Sequence, residues 1–580
     1  MGERADRRFY EFGSFRLDPT GRILFHGDRA IPLPPKAADT LLLLVENAGN
    51  VVEKHDLLKQ VWHDALVEEG SVTRTISILR KALEDCVHGQ EFISTVPTRG
   101  YRFAARVHGL SSIPVPLFSS KVMLAVLPFE NMSGRKTQEY FSDGLTEEMI
   151  TQLGRLNPES LGVIARTSAM QYKNTTKTIH QIGQELNVSH IVEGSVRRAN
   201  NRVRIAAQLI QVSDQTHLWA ESYERDLCHI LQVQSDVARA IAAQIEIKLT
   251  PREQARLARA GVVKPEAYEA YLKGRYLWNR RNLDALHRSV QHFQKAVKID
   301  SEYAAAYAGL ADSYLTLQDN GHMSPRKATA LAKKAVQRAL RIDETLAEAH
   351  NSLAHACFHQ FDWSAAERAW KRAIELNPNY ATAHLYYANY LLATGQIEAA
   401  LAEAWRAQML DPASLAASTN TASILNCAGQ CNQAIELSRK TLETDPSFAR
   451  AYEDLGRAYE GKMMHGQAIT ALQNATKLSG GAPRYRASLA HGYAVAGNRR
   501  TALRMLNQLK EMSRRNYVSP YSLAVVAAGL GDKDRAFRWL AKAYRERSEA
   551  LPFMNVDPRL IPLHSDPRFL KLIQRVGLPA

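Results

Sequence analysis

Pro378, Pro412 and Pro446 recur every 34 residues, each preceded by Asn or Asp at the end of an amphipathic stretch: AIELNP, AQMLDP, TLETDP. A fixed period of this length marks a stacked array in which each unit buries its apolar face only against its neighbours. Proline lacks the N–H that would continue an intrahelical ladder, so it ends one helix and opens the next unit. The unit is therefore a helix pair. The same frame recurs elsewhere: AAAYAGLADSY at Ala304 to Tyr314 matches ARAYEDLGRAY at Ala449 to Tyr459, and EAHNSLAHAC and TAHLYYANYL also fit it. Where two copies stand 43 residues apart, Asp300 to Asp343, the nine extra residues read as a loop-like insertion around GHMSPRKAT. The array is expected over 266–545 as about eight pairs, followed by a C-terminal cap over 546–580. Its large aromatics, among them Tyr314, Trp370 and Tyr459, are expected to interlock as core.

Upstream the periodicity changes. Residues 9–107 read as short strands (FYEFGSFRL, RILFH, RAIPL), then three helices, then a hairpin. The first helix follows Pro34-Pro35 and is ended by Gly49-Asn50, and the second runs from about Lys54 to Trp62. The third begins near Ser71 as an N-cap and places Val72, Ile76, Leu79 and Leu83 on one buried stripe. Its other face carries Thr73, Arg74, Ser77, Arg80 and Lys81. FISTV and YRFAARV form the hairpin, with Arg99 at the tip of the turn Pro97-Thr98-Arg99-Gly100. Residues 108–120 read as a linker.

Residues 121–250 alternate strands and helices: VMLAVLPF as a strand, SDGLTEEMITQLGRL as an N-capped helix, TIHQIGQELNV as a second, and a closing helix from about Ile230. HIVEGSVRRANNRVRIAAQLIQV between them reads as a hairpin turning at Asn200-Asn201, its arginines facing solvent. The chain is thus multidomain: an α+β winged helix-turn-helix, an α/β module and an all-α solenoid.

Charge does not locate the function. The net charge is +15, but residues 1–110 hold 15 basic and 15 acidic side chains and residues 111–250 hold 14 of each. The whole surplus lies in the C-terminal half. Five scattered cysteines are an odd number in a chain too large to need staples, which fits a reducing cytoplasm. No apolar run approaches the roughly 18 residues that span a bilayer, so no membrane segment is expected. No phosphate loop, HExxH, GxSxG or GxGxxG pattern occurs, so neither an enzyme nor a cofactor is expected.

SVTRTISILRKALED followed by FISTVPTRGYRFAARV closely resembles the DNA-binding domain of the OmpR/PhoB response regulators, a likeness covering 9–107. LRKAL at Leu79 to Leu83, Trp62, and Thr95-Val96 before Gly100 to Phe103 carry it. The resemblance implies that helix 71–84 enters the major groove of double-stranded DNA and wing 96–102 the minor groove. Thr73, Arg74, Ser77 and Arg80 then face DNA, Arg99 contacts it from the wing, and Lys81 meets phosphate. Such an assignment is physically apt, because arginine pairs bidentately with guanine while hydroxyls accept either base or phosphate partners. It also implies contact with RNA polymerase through the loop before that helix. With roughly four or five phosphate contacts for one chain, a homodimer on paired half-sites is expected.

Eight residues precede Phe9, so no receiver domain is expected. The order is similar to one-component regulators of the CadC and ToxR type without their transmembrane helix. Residues 121–250 resemble the TolB-like N-terminal module. Residues 266–545 resemble tetratricopeptide repeats, with Ala311, Ala354, Ala388 and Gly456 in frame. That resemblance implies a concave groove for a protein or peptide, showing Asn351, His355, Phe358 and His359 in one unit and Glu453, Arg457 and Glu460 in another. His355 and His359 are spaced i, i+4 with Cys357 between them, but no third ligand is evident and no metal is expected. The expectation is a cytoplasmic, sequence-specific transcriptional regulator whose array senses or recruits a partner. The alternative is a scaffold whose winged helix docks protein.

Overall fold

The computed structural model describes residues 10–18, 22–26, 29–31, 33–49, 51–61, 69–84, 92–97, 99–105, 108–109, 121–157, 159–258, 261–320, 322–514 and 517–579. They fall in two compact units, Met1–Pro116 and Leu117–Ala580. Asn50, Trp62, Cys86, Thr98, the turn at Pro19 to Gly21 and the linker beyond Gly109 lie outside the described residues.

The first unit opens with strands β1 (Tyr10–Phe12), β2 (Phe15–Asp18), β3 (Ile23–His26) and β4 (Arg29–Ile31), each antiparallel to the next. Helix α1 (Pro35–Glu46) starts with Pro35 in its first turn, where the missing N–H costs nothing. Strand β5 (Val51–Glu53), helices α2 (Lys54–Val61) and α3 (Glu69–Glu84), and strands β6 (Ile93–Val96), β7 (Gly100–Phe103) and β8 (His108–Gly109) follow. Val72, Ile76, Leu79 and Leu83 are all buried, as the helical spacing requires. Phe12, Phe15, Phe92 and Phe103 close the core as a ring cluster, with the Phe12 and Phe103 centroids 4.9 Å apart.

Three local expectations are corrected here. Ser71 is not an N-cap, because α3 already begins at Glu69. His108 and Gly109 are not linker but pair with Glu11 and Tyr10 as the edge of the first sheet. Strand β5, too short to signal itself, pairs with β7 and makes the wing a three-stranded sheet. Gly100 permits that pairing, since a Cβ there would lie 2.0 Å from the Val52 carbonyl oxygen.

The second unit begins with β9 (Val122–Val126), β10 (Glu130–Asn131), α4 (Glu139–Gly154), β11 (Leu161–Val163), α5 (Arg166–Ala169) and α6 (Ile179–Leu186). Strands β12 (His190–Ala199), β13 (Arg202–Gln211) and β14 (His217–Asp226) follow, then helices α7 (Ile230–Gln244) and α8 (Pro251–Ala258). The sheet order is β11-β9-β12-β13-β14, parallel across β11, β9 and β12 and antiparallel beyond, with β10 beside β12. Thr178 and Gln181 form a capping box on α6, and Asn200 turns the hairpin with φ of 53°. Ser142 does not cap α4; it lies buried within it and donates to the Glu139 carbonyl. Strand β14 gave no alternating signal because most of its side chains are exposed at the sheet edge.

Eight antiparallel helix pairs then stack. They are α9 (Pro265–Trp278) with α10 (Leu283–Ile299), α11 (Ala304–Asp319) with α12 (Pro325–Ile342), α13 (Ala347–Phe358) with α14 (Trp363–Leu376), and α15 (Ala381–Ala393) with α16 (Ile397–Leu410). Next come α17 (Leu415–Cys427) with α18 (Cys431–Thr444), α19 (Ala449–Gly461) with α20 (His465–Leu478), α21 (Pro483–Val495) with α22 (Arg499–Met512), and α23 (Pro520–Gly529) with α24 (Lys533–Glu546). The turn inside successive pairs needs one left-handed residue, and Phe361, Gly395, Gly429, Met463, Gly497 and Gly531 fill that place with φ between 59° and 82°. The 43-residue copy corrects another expectation. Pro325 to Thr329 are helical, so the surplus lengthens α11 to 16 and α12 to 18 residues instead of forming a loop. The chain ends in two 3₁₀ turns, Leu551–Phe553 and Pro558–Leu563, and α25 (Pro567–Val576).

The middle module is not a separate body. α4 lies along α9, with Gly144 admitting the Leu272 side chain, and Glu147 pairs with Arg275 and, at 3.2 Å, with Arg166. Arg198 corrects its expected exposure: it pairs with Glu269 of α9. Arg155 meets Glu348 at 2.7 Å, Asn379 donates to the carbonyls of Gly154 and Leu161, and Ser168 donates to Asp411 at 2.6 Å.

Glu148 at this seam accepts a 2.7 Å hydrogen bond from Tyr271, and burial pushes its carboxyl up to about 7 from an ordinary value near 4.5. The folded chain therefore keeps a proton that the unfolded chain releases between those values. The contribution of Glu148 to stability is full below about pH 4.5 and is lost as pH rises to 7, by roughly 1–3 kcal/mol. Denaturant titrations of Glu148→Gln should lose that slope; an unchanged slope would assign it to other groups.

Candidate functional site

Thr73, Arg74, Ser77 and Lys81 stand exposed on one face of α3, opposite the buried stripe that fixes the helix in the unit. Thr73 Oγ1 lies 3.4 Å from the Tyr101 hydroxyl of β7, which ties the exposed face to the wing. Arg80 has a different position from its neighbours. It is half-buried, and its guanidinium donates to the Ile93 carbonyl at 2.7 and 3.0 Å and to Thr95 Oγ1 at 2.9 Å. It braces α3 against β6. Arg99 projects at the hairpin turn, 66% exposed, with Glu53 of β5 3.8 Å away. An exposed pair at that separation is worth little, so the guanidinium remains available to a stronger anion.

The inner wall of the array differs from the open groove that its frame implies. Asn351, His355, Phe358 and His359 are all buried. Asn351 accepts a bond from Trp370 Nε1 at 3.1 Å, and Phe358 packs on Phe553 of the C-terminal segment with ring centroids 6.0 Å apart. Arg457 sits 3.9 Å from Asp557, which Tyr521 and Arg559 also hold at 2.9 and 2.7 Å. Glu453 is buried too, which opposes ionisation, but Arg484 and Arg450 hold its carboxyl down at about 2. Glu460 lies 3.3 Å from His491. The C-terminal segment thus covers the groove residues, and Trp363 Nε1 donates to the Val576 carbonyl at 2.9 Å to hold it there. A cavity of about 410 Å³ with a mixed lining remains between wall and segment, bounded by His355, His359, Tyr386, Arg457, Glu549 and Asp557 among others. Burial and the neighbouring His355 push His359 down to about 3, so it is a neutral imidazole.

This fold defines a class: a winged-helix domain of OmpR/PhoB type joined to a tetratricopeptide-type array through a sheet-containing module. Residues 28–103 match the family model "Transcriptional regulatory protein, C terminal", and 120–240 match "HilA/YgeH-like transcriptional regulator, second domain". Two tetratricopeptide models match 347–380 and 369–402.

Among individual proteins, the chain is 39% identical over 350 residues to "Putative adenylate cyclase 3" of Rhizobium meliloti, covering 56% of this chain and 58% of that one. It is 26% identical over 338 residues to "Transcriptional regulator HilA" of Salmonella typhimurium, covering 58% of each. It is 31% identical over 96 residues to "Transcriptional activator CadC" of Escherichia coli, covering 16% of this chain and 19% of that one. The chain thus spans less than two thirds of the length of these relatives. Among the described residues no helix is long and apolar enough to cross a membrane.

Proposed function

We propose that the chain is a DNA-binding, non-enzymatic transcriptional regulator of one-component type acting in the cytoplasm. The observation that carries this reading is the face of α3: Thr73, Arg74, Ser77 and Lys81 exposed together beside an exposed Arg99, on an otherwise neutral domain. In this reading Arg74, Thr73 and Ser77 meet base edges, Lys81 meets phosphate, and Arg99 enters the minor groove. Arg80 acts as a positioning residue that sets the angle between helix and wing. Two chains on paired half-sites would double the phosphate contacts and hence the salt slope, and RNA polymerase is the partner on the DNA side. Because the chain's own 551–563 covers the inner wall, a protein or peptide partner of the array must displace that segment or bind elsewhere.

Anisotropy titrations of the full chain on DNA fragments selected from genomic DNA test this. Arg74→Ala is expected to cost about 1–3 kcal/mol and relax specificity, while Lys81→Ala weakens all sequences alike and lowers the salt slope by about one. Equal, weak binding by wild type and both variants would sink the reading.

A further inference from the structure

The spacing of His355 and His359 leaves a metal without a third ligand, but the fold supplies one from the preceding helix pair. Asp319, the last residue of α11, brings Oδ1 to 3.4 Å from His355 Nε2 and 3.8 Å from His359 Nε2. The two Nε2 atoms are themselves 3.0 Å apart. A tetrahedral ion bound at about 2.0–2.1 Å holds its ligand atoms about 3.3–3.4 Å from one another. The three observed separations bracket that edge, so the donors already stand where three corners of such a tetrahedron would be.

One Nε2 proton can point at the other imidazole or at the carboxylate but not at both, so a single proton leaves two lone pairs facing each other, whereas two protons aimed at the carboxylate bring the N–H groups together at 3.0 Å. The Nδ1 of His359 is buried with no hydrogen-bond partner among the described residues, which leaves Nε2 as its polar contact. His355 is further held by Tyr386, with ring centroids 4.5 Å apart. The remaining side of the cluster opens onto the cavity of about 410 Å³.

We propose that Asp319, His355 and His359 form a site for a first-row divalent cation of the zinc class, with a fourth position open to the cavity for water or a small anionic group. Two imidazoles and one carboxylate suit such a cation, and three protein ligands with one open place is the donor set of an exchangeable site, whereas closed structural sites take four. The ion would clamp α11 to α13 across two consecutive pairs.

The test uses the full chain without a polyhistidine tag, stripped by chelator and titrated with Zn²⁺ and with Co²⁺ as a spectroscopic stand-in. Wild type should take up one ion with tetrahedral cobalt absorption and a zinc-dependent rise in melting temperature. Asp319→Asn and His359→Gln should each weaken uptake at least ~100-fold. His359→Cys, which keeps a zinc ligand in place, should retain it and so separates lost ligation from lost folding. No uptake by wild type, or equal uptake by wild type and His359→Gln, would overturn the proposal.

Discussion

Gly100→Ala is expected to lower the melting temperature of the N-terminal unit by roughly 10–30 °C and to abolish binding of DNA by the wing. The added Cβ would fall 2.0 Å from the Val52 oxygen and 2.9 Å from Glu53 Cα. Both are backbone atoms of β5, so no side chain can swing aside. The strands must part, which breaks the pairing of Gly100 with Glu53 and the bond from the Lys54 N–H to the Arg99 carbonyl. Overpacking of this kind costs 1–3 kcal/mol and each lost bond about 1 kcal/mol, so roughly 2–4 kcal/mol is at stake in a domain whose whole stability is 5–15. At about 4–8 °C per kcal/mol this gives the stated shift. Thermal unfolding together with hydrogen exchange of 51–53 and 100–103 measures it. Arg99→Ala is the control that should weaken binding and leave the melt alone. A Gly100→Ala melt within a degree or two of wild type would mean that the strands accommodate the methyl.

Arg275→Ala is expected to destabilise the second unit by about 3–5 kcal/mol and to loosen the middle module from the array. Arg275 is 15% exposed and stands between Glu147, 12% exposed, and Asp312, 8% exposed. Truncation removes their shared cation while both carboxylates stay buried. Arg166 still reaches Glu147 at 3.2 Å and Ser352 still donates to Asp312, which keeps the loss from being larger. Arg275→Lys should recover only part, since an ammonium cannot reproduce a planar fork. A double change to Arg275→Met and Asp312→Asn should recover most, because it removes the carboxylate left without a cation while Arg166 still meets Glu147. Denaturant midpoints and limited proteolysis at 261–264, before α9, supply the measurement. A cost under about 1 kcal/mol, or one strongly reduced by salt, would show that the cluster is solvated.

The 34-residue proline period and the stripe Val72, Ile76, Leu79 and Leu83 were legible because each helix must bury one face every 3.6 residues, and that demand is written locally. The polar face of α3 followed from the same spacing. Strand β5 was not legible: three residues between two helices carry no period, and only β7 makes them a strand. Arg80 looked like its neighbours on the helix, and its role depends on where β6 passes. The left-handed turn inside six of the pairs was announced by glycine at four positions, while Phe361 and Met463 adopt the same φ without being glycine.

The sequence by itself determined the order of modules, the helix pairs and the exposed polar face of α3, since all of these follow from neighbours within a few turns. Tertiary structure alone decided that the middle module seats on the array, that Val576 returns to Trp363 across 213 residues, and that Asp319 meets His355 and His359. Each of those contacts joins segments far apart in sequence through side chains whose meeting depends on how whole elements pack, and no local segment records that.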